Sequence, residues 1–127
     1  MSMHANTTTL PLNTAGLLAL RCGHATEALS AASAAALLPL VPGWAIEDGK
    51  LCRSFAFRDY YQTMAFVNAL AWVCHTEDHH PELLVTYKNC AVRYDTHSVH
   101  GLSINDFICA AHANALFALS TAAAVTP

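Results

Sequence analysis

Two pairs of short β-type runs alternate along the chain with three helical segments, and this order constrains the fold more than any other feature. The four runs cover residues 44–47, 51–58, 83–87 and 90–96. Asp48-Gly49, a dipeptide strongly preferred in tight hairpin turns, separates the first pair, and Lys88-Asn89 joins the second. Hairpins pair antiparallel, and amphipathic helices need a sheet face to cover. The sequence therefore predicts an α+β fold with a four-stranded antiparallel sheet and helices packed on one face, in the order α-β-β-α-β-β-α.

Each helical segment carries its own start or stop signal. Residues 26–38 are dominated by Ala and Leu, the best helix formers, and Pro39 ends that run. Asp59 can cap the second helix, with Gln62 completing a capping-box-like pattern, and Ser103 is a natural N-cap for the closing helix. On the second helix we expect the apolar face to consist of residues at helical spacing, widened by three neighbours: Tyr60, Met64, Val67, Ala71 and Cys74, with Phe66, Leu70 and Val73. On the closing helix the residues expected to face the core are Ile104, Phe107, Ile108, Ala111, Ala115 and Leu119.

The length of 127 residues is close to the commonest size of a single domain. Residues 1–22 are rich in Thr and Asn, contain Pro11 and Gly16, and show no sustained period, so we expect a flexible leader there. We assign residues 23–120 to one α+β domain and residues 121–127 to a tail.

The composition excludes several classes of function. Only 12% of the residues are charged and the net charge is −3, whereas nucleic-acid binding needs clustered Lys and Arg. Pro39, Pro42 and Gly43 interrupt the uncharged run between Glu27 and Glu47, so we expect no membrane span.

The cysteines and the N-terminal region indicate the compartment. The five cysteines form no Cys-x-x-Cys pair, which indicates reduced thiols. No signal-peptide core is present, so we expect a cytoplasmic protein. The low charge and the apolar fraction of 54% favour self-association, and we expect a homodimer or homotetramer.

Five of the eight histidines fall between residues 75 and 100, and this crowding indicates a functional site. Histidine gives and takes protons near neutral pH, because its unperturbed pKa is roughly 6.5, and it is also a common metal ligand. The structural alternative is that His75 caps a helix end and that His79 and His80 lie in an exposed loop. In that alternative Asp106 only complements the start of the closing helix.

Proton transfer explains the histidines better than metal binding. His75 and His79 are four residues apart, so their imidazoles converge on one zinc ion only if the helix continues that far. Pro81 disfavours helical backbone at His80, and the helix is therefore expected to end before His80, without a metal site. Acid/base chemistry needs only a shared cavity, and the hairpin can bring His79 and His80 close to His97. A small metal protein remains the third alternative, which stoichiometric zinc would support.

The histidines belong to a longer set of residues at fixed spacing. The set runs in the order His75, His79, His80, Pro81, Tyr87, His97 and Asp106. Gly43-Trp44, residues 55–60 and Thr96-His97-Ser98 accompany it in a matching order. Together these residues resemble the signature of the pterin-4a-carbinolamine dehydratase family, and the resemblance covers roughly residues 26–119.

This resemblance implies removal of water from 4a-hydroxytetrahydrobiopterin to give the quinonoid dihydropterin in tetrahydrobiopterin recycling. That reaction is a lyase step, and we expect no cofactor. The resemblance implies acid/base roles for His79 and His97, and orientation of the pterin by His80. The further residues that it implies for substrate contact are His75, Pro81 and Asp106. A carboxylate at Asp106 can also hold or polarise a histidine.

The chain departs from the common family pattern at three positions. Position 75, acidic in many members, is histidine, an aromatic found in some members is Leu83, and His100 precedes Gly101 where a small residue is common. A positive charge at His75 favours the neutral forms of neighbouring imidazoles, so we predict a lower pH optimum than in relatives with an acidic residue there.

The alternative function is a non-catalytic dimerisation or assembly module of the same fold, such as a transcriptional coactivator or an enzyme assembly factor. The fold alone does not choose between the two functions. Retention of His79, His80, His97 and Asp106 favours the enzyme, because a scaffold has no physical need for three imidazoles at this spacing.

Overall fold

The structure, a computed structural model, describes residues 9–125, with side chains described for residues 9–120. The helices of this part of the chain are α1 (Thr14–Leu18), α2 (Ala31–Leu37), α3 (Tyr60–Glu77) and α4 (Ile104–Val125). Its strands are β1 (Ala45–Glu47), β2 (Lys50–Ala56), β3 (Glu82–Val85) and β4 (Asn89–Tyr94). Short 3₁₀ turns follow α2 and β4, at Leu38–Leu40 and His97–Val99.

The four strands form one antiparallel sheet in the order β1-β2-β4-β3. Both predicted hairpins are present, and β2 and β4 join them in the middle of the sheet, with Leu51 opposite Tyr94. Asp48 and Gly49 have φ angles of 52° and 75°, which suits a two-residue turn whose twist matches that of the flanking strands. The predicted α+β class and the order α-β-β-α-β-β-α are confirmed for residues 31–125.

The long helices cover one face of this sheet. Phe55 on β2 and Val92 on β4 are fully buried, whereas Arg93, which points to the opposite face, is exposed. The ring centroid of Phe55 lies 4.7 Å from that of Phe66 on α3 and 5.1 Å from that of Phe117 on α4. The core therefore lies between the sheet and these two helices, whose ends position the histidine segment.

Both long helices begin at the predicted caps. The Asp59 carboxylate accepts a hydrogen bond from the N–H of Gln62 at 2.9 Å. The Ser103 hydroxyl accepts one from the N–H of Asn105 at 3.2 Å. Each bond satisfies a backbone donor that the first helical turn leaves without a partner. Within residues 9–125, no helix is both long and apolar enough to cross a membrane.

α3 ends just before the histidine pair, as predicted from Pro81. Its last residue is Glu77, and Asp78 adopts the left-handed conformation with a φ of 52°. The backbone N–H groups of Asp78 and His79 both reach the carbonyl of Cys74, which closes the helix end. His79 therefore lies beyond the helix, and the helical spacing that would pair it with His75 for zinc is not formed.

α2 is shorter than the predicted helix over residues 26–38. Its N-cap is Ser30, whose hydroxyl accepts from the N–H of Ser33 at 3.1 Å. The N–H of Leu29 instead donates to the carbonyl of Leu102 at 2.8 Å, which fixes the preceding residues against the start of α4. A long-range backbone contact therefore overrides the helix propensity of the Ala-rich run.

The chain before residue 23 differs from the prediction of a flexible leader through residue 22. Asn13 caps α1, Leu17 is fully buried in the core, and Thr14 donates to the carbonyl of Leu40 at 2.7 Å. A five-residue helix with one buried side chain has no period that sequence analysis can detect. Residues 1–8 lie outside the described part of the chain. At the other end, α4 continues to Val125, past the predicted start of the tail.

The packing of α1 predicts a large effect of Leu17→Ala. Removing this buried side chain should lower the free energy of unfolding by about 2–5 kcal/mol, because the lost contacts leave a cavity. The control is Leu12→Ala, because Leu12 is 88% exposed, and it should change the value by less than about 0.5 kcal/mol. Urea denaturation followed by circular dichroism measures both, and equal unfolding midpoints for the two variants would contradict the packing.

Candidate active site

A hydrogen bond between His79 and Asp106 lies at the centre of the histidine segment. His79 Nε2 is 2.6 Å from Asp106 Oδ1. The Asp106 side chain is completely buried and that of His79 is 12% exposed. Because His79 follows the end of α3 and Asp106 lies in the first turn of α4, this bond joins the ends of the two long helices.

The second carboxylate oxygen of Asp106 accepts two more hydrogen bonds. Thr96 Oγ1 donates to Oδ2 at 2.8 Å, and the backbone N–H of Ser103 donates at 2.9 Å. The Ser103 hydroxyl lies 2.8 Å from Thr96 Oγ1, so it donates to Thr96, whose own proton is directed to Asp106. A buried carboxylate is costly unless its oxygens are paired, and these donors replace the water that it has lost. They hold a fixed negative charge beside His79.

This arrangement determines which ring nitrogen of His79 is free for chemistry. An ionised carboxylate only accepts hydrogen bonds, so the proton shared with Asp106 belongs to His79 Nε2. Nδ1 is then the nitrogen that can take or give a proton. The same carboxylate stabilises the imidazolium that forms when Nδ1 becomes protonated.

Tyr94 supports the flat face of the His79 ring. The two rings are stacked with centroids 5.7 Å apart and an interplanar angle of 7°. Burial raises the pKa of Tyr94 far above its ordinary value, so the side chain stays a neutral phenol. Its hydroxyl is buried without a hydrogen-bond partner among residues 9–120. Tyr94 therefore fixes the plane of the imidazole by packing alone.

A tight loop after β4 carries His97 to the same region. The N–H of Thr96 donates to the carbonyl of Gly101 at 2.8 Å, and the two residues form an isolated antiparallel bridge. His97 follows Thr96 directly and begins the short 3₁₀ turn. Its side chain is 95% exposed, with Nε2 4.0 Å from Asp95 Oδ1. The hydrogen bond from the Thr96 side chain to Asp106 thus anchors the loop that carries His97.

Two adjoining cavities surround His79. The first, which we call the histidine cavity, has a volume of about 420 Å³ and is lined by Asp78, His79, His80, Pro81, Glu82, Asp95, Thr96, His97 and Ser98. The second, which we call the side cavity, has a volume of about 360 Å³ and is lined by Cys22, Gly23, His24, Ala25, Glu77, Asp78, His79, Thr96, Ser98 and Asn105. They share the wall formed by Asp78, His79, Thr96 and Ser98.

The structure brings most of the predicted site residues together. His79, His80, Pro81 and His97 line the histidine cavity, and Asp106 contacts it through its bond to His79. The exception is His75, which is exposed on α3, with its ring centroid 6.0 Å from that of Trp72. His75 lines neither of the two cavities.

Several residues at the site were not singled out in the sequence. Thr96 and Ser98 entered the sequence analysis only as part of the run Thr96-His97-Ser98, which resembles the family. Their proximity to His79 depends on the loop that Gly101 closes. Asp78 was not predicted as a site residue, although its position directly before His79 is a pattern from which sequence analysis could have predicted it. Segment 21–25 gave no signal, because it reaches the site only through contacts that are distant in sequence.

Hydrogen bonds at two helix ends hold segment 21–25 in place. Glu77 accepts from the Cys22 N–H and from Arg21 Nε, each at 2.8 Å. Gly23 donates its N–H to Asn105 Oδ1 at 3.1 Å and accepts from Asn105 Nδ2 at 2.7 Å.

Burial by itself raises the pKa of Glu77, but the hydrogen bonds from Cys22 and Arg21 outweigh this effect, and the pKa of Glu77 is lowered. The stabilisation is thus present above the unfolded-state pKa of Glu77 and is lost as the pH falls through the folded-state value.

The charged groups around the histidine cavity are mainly carboxylates. Asp78, Glu82 and Asp95 line it together with the imidazoles. A hydrogen bond from Lys50 Nζ lowers the pKa of Glu82 and keeps it ionised. Among the described residues, no group of three or more His, Cys, Asp or Glu side chains is arranged to hold a metal ion. The arrangement is suited to binding a small polar molecule and exchanging protons with it.

Comparison with known proteins points to one family. The sequence profile of the family described as "Pterin 4 alpha carbinolamine dehydratase" matches residues 27–116. Two similar bacterial proteins are each named "Putative pterin-4-alpha-carbinolamine dehydratase". The first, from Stenotrophomonas maltophilia, is 59% identical over 90 residues, which cover 69% of this chain and 78% of the relative. The second, from Nitrosomonas europaea, is 58% identical over 81 residues, which cover 64% and 72%.

Solved structures show the same fold. A crystal structure described as a transcriptional coactivator/pterin dehydratase from Brucella melitensis is 29% identical, with a TM-score of 0.69, over 71% of this chain and 98% of its own. A pterin dehydratase-like protein, described as a RuBisCO assembly factor in the alpha-carboxysome, is 27% identical with a TM-score of 0.50, over 58% and 86%. The two descriptions cover both a dehydratase and an assembly role.

The hydrogen bonds of Asp106 predict a specific cost for Thr96→Val. This change keeps the shape of the side chain but removes the hydroxyl that donates to the buried carboxylate, so we expect the free energy of unfolding to fall by about 1–3 kcal/mol. The control is Thr86→Val, since Thr86 is exposed in the β3–β4 turn, and its effect should stay within about 0.5 kcal/mol. Guanidinium titrations of both variants make the comparison, and an unchanged stability of Thr96→Val would argue against the network.

Proposed function

Since the chain belongs to the pterin 4 alpha carbinolamine dehydratase family, we propose that it removes water from a 4a-hydroxytetrahydropterin. The product is the quinonoid dihydropterin, and the step belongs to tetrahydrobiopterin recycling. The observation that supports the proposal is the shared cavity, which is lined by His79, His80 and His97 and in which a buried carboxylate holds His79. The reaction requires proton transfer and no change of oxidation state, so the side chains of this cavity suffice for it.

The reaction breaks the bond between a ring carbon and its hydroxyl group. The adjacent ring nitrogen supplies the electrons for a new carbon–nitrogen double bond and loses its proton, while the oxygen leaves as water. Hydroxide leaves slowly unless an acid protonates it, and the nitrogen needs a base to take its proton. Each such group typically accelerates a reaction by about 10²- to 10⁴-fold. Two imidazoles in opposite protonation states therefore meet the chemical requirement.

We assign the base to His79 and the acid to His97. His79 receives the ring-nitrogen proton at Nδ1, because Nε2 is bonded to Asp106 and that carboxylate stabilises the resulting imidazolium. His97 is almost fully exposed and near Asp95, so it regains from solvent the proton that it gives to the leaving oxygen. His80 and Pro81 line the cavity between them and orient the flat pterin ring.

Asp106 acts through His79 and is a positioning residue. It fixes the tautomer and the plane of the ring, and it is itself fixed by Thr96 and the Ser103 N–H. An amide at this position would present a donor as well as an acceptor and would allow the opposite tautomer. Replacing Asp106 with Asn should therefore lower the rate of the chemical step more than it weakens substrate binding.

A second function, as an assembly or coactivator module, is favoured by one observation. One structural neighbour is described as a RuBisCO assembly factor and the other as a transcriptional coactivator as well as a dehydratase. Such a role requires a docking surface but no proton-transfer groups. The hydrogen-bonded His79–Asp106 pair and the cavity beside it make dehydration the first proposal.

We also propose that the protein assembles as a homodimer or homotetramer. Large apolar side chains remain exposed in the single chain: Tyr61 at 84%, Trp72 at 67%, Leu84 at 67% and Leu119 at 69%. The prediction that Leu119 faces the core is therefore wrong for the single chain. Tyr61 and Trp72 lie on the same exposed side of α3, eleven residues apart. Burying such a stripe against a second copy removes it from water, which is the usual driving force for association.

We place the protein in the cytoplasm because its cysteines are free. All five sulfur atoms lie within the described residues, and none is in a disulfide. Free thiols of this number are typical of a reducing compartment.

The proposed chemistry predicts that His79→Ala and His97→Ala each lower kcat by about 10²- to 10⁴-fold, because each removes one proton-transfer group. Dehydration of a 4a-hydroxytetrahydropterin, followed by absorbance, measures the rate, and circular dichroism checks that each variant is folded. The matched control is His112→Ala, a half-buried histidine on α4 outside both cavities, which should keep the full rate. Wild-type rates in the His79 and His97 variants would contradict the dehydratase proposal and favour the assembly role.

The charge at position 75 predicts a small displacement of the pH–rate profile. A carboxylate in His75→Glu favours protonated imidazoles nearby, so the optimum should move to higher pH. Because His75 is exposed and lies outside the histidine cavity, solvent screens it, and the displacement should be less than about one pH unit. Comparison with neutral His75→Gln at low ionic strength isolates the charge effect. Superimposable profiles for the two variants would exclude this influence of residue 75.

The exposed stripe on α3 predicts a multimer in solution. Light scattering after gel filtration should give about two or four times the chain mass of 13.6 kDa. Trp72→Glu should shift the distribution towards smaller species, whereas Ala32→Glu on the exposed side of α2 should not. A wild-type protein that remains a single chain at micromolar concentration would refute the assembly.

A further inference from the structure

Two thiols meet where segment 21–25 lies against α4. The Sγ atoms of Cys22 and Cys109 are 3.6 Å apart, although the residues are 87 positions apart in the chain. We propose that Cys22 and Cys109 are a modification site at which a reversible disulfide fastens segment 21–25 to α4. Neither residue has a role in the proposed proton transfer, so this inference stands apart from the dehydration.

The hydrogen bonds of the two thiols give them different chemical roles. Cys22 Sγ lies 3.6 Å from the carbonyl oxygen of Asn105, to which it donates, so the Cys109 thiol donates in turn to Cys22 Sγ. Cys22 is half-buried and lines the side cavity, whereas Cys109 is fully buried. The hydrogen bond with Cys22 and burial both raise the pKa of the Cys109 thiol. Oxidation therefore begins at Cys22, the sulfur that solvent can reach.

The backbone on both sides of Cys22 is already held in place. The Cys22 N–H is bonded to Glu77, and Gly23 is bonded twice to Asn105, one helical turn before Cys109. A disulfide needs the two sulfur atoms at about 2.05 Å, so they must approach by roughly 1.5 Å. Rotation of the Cys22 side chain and a small shift of segment 21–25 can supply this movement, because that segment is outside any helix or strand.

The bond-forming reaction balances with a peroxide as the oxidant. The Cys22 thiol gives up its proton, and the resulting thiolate takes one oxygen from hydrogen peroxide to form a sulfenic acid. The O–O bond breaks, and the other oxygen leaves as water with the proton that Cys22 released. The Cys109 sulfur then attacks the Cys22 sulfur, the S–O bond breaks, and the hydroxyl leaves as a second water with the Cys109 proton. Two thiols are oxidised to one disulfide and one peroxide is reduced to two waters. A dithiol reductant reverses the change.

The other cysteines are placed differently. Cys52 is half-buried, and its thiol donates to the carbonyl of Lys50 at 3.5 Å. Cys74 and Cys90 are buried, and burial raises the pKa of Cys90 to about 11, so its thiol is unreactive at neutral pH. Cys52 is therefore the matched control, because it is half-buried like Cys22 and has no thiol hydrogen-bonded to it in the described structure.

The experiment treats the full chain with a slight excess of hydrogen peroxide, blocks the remaining thiols with N-ethylmaleimide, and digests the protein with trypsin without reduction. Cleavage after Lys and Arg leaves each cysteine in its own peptide: 22–50, 51–53, 59–88, 89–93 and 94–127. We expect a linked pair of peptides 22–50 and 94–127, two hydrogen masses lighter than their sum and abolished by dithiothreitol. A cross-link closing so long a loop should also raise the Tm by about 10 °C, reversibly.

The variants separate this site from general oxidation. Cys22→Ser should lose both the linked peptides and the rise in Tm, and Cys52→Ser should keep both. Because Cys22 is not in the core, its serine variant is expected to fold. The inference is overturned if the linked peptides are absent, if peptide 59–88 is linked in place of 94–127, or if Cys22→Ser keeps the rise in Tm.

Discussion

The buried carboxylate of Asp106 is the constraint on which the rest of the site depends. Left without partners, an ionised carboxylate in a protein interior is strongly destabilising, so the surrounding structure must supply donors. His79 Nε2, Thr96 Oγ1 and the Ser103 N–H provide them at 2.6, 2.8 and 2.9 Å. The same three bonds that neutralise this cost also fix an imidazole, a loop and a helix start in one arrangement. Stability and the proposed catalysis therefore rest on the same atoms.

This arrangement explains why the fold places its functional groups at element ends. His79 follows the left-handed end of α3, His97 follows β4, and Asp106 lies in the first turn of α4. The core between the sheet and the two long helices holds these three ends close together. Tyr94 belongs to this core, and its ring stacks on the His79 ring. Segment 21–25 then closes the side cavity through Glu77 and Asn105. The proposed disulfide would fasten that closure covalently.

Local signals in the sequence predicted much of this structure, and long-range contacts account for what they missed. The Asp48-Gly49 turn, the Asp59 cap and the end of α3 before His80 follow from neighbouring residues alone, and all three are confirmed. Segment 21–25 depends on partners more than fifty residues away, and α1 packs against α4 near the other end of the chain, so no local pattern revealed either contact. The histidine spacing pointed to a common cavity, whereas the outward position of His75 depends on where the turns of α3 face.

The tautomer of His79 shows directly whether Asp106 holds the imidazole ring. Two-bond nitrogen–proton correlation spectra of ¹⁵N-labelled protein distinguish a ring protonated at Nε2 from one protonated at Nδ1, and the His79→Gln variant identifies the signal. We predict that neutral His79 carries its proton on Nε2, facing Asp106, and that Asp106→Asn disturbs this preference. A proton found on Nδ1 in the unmodified protein would mean that Asp106 does not hold the ring as described, and the proposed proton transfer at His79 would be contradicted.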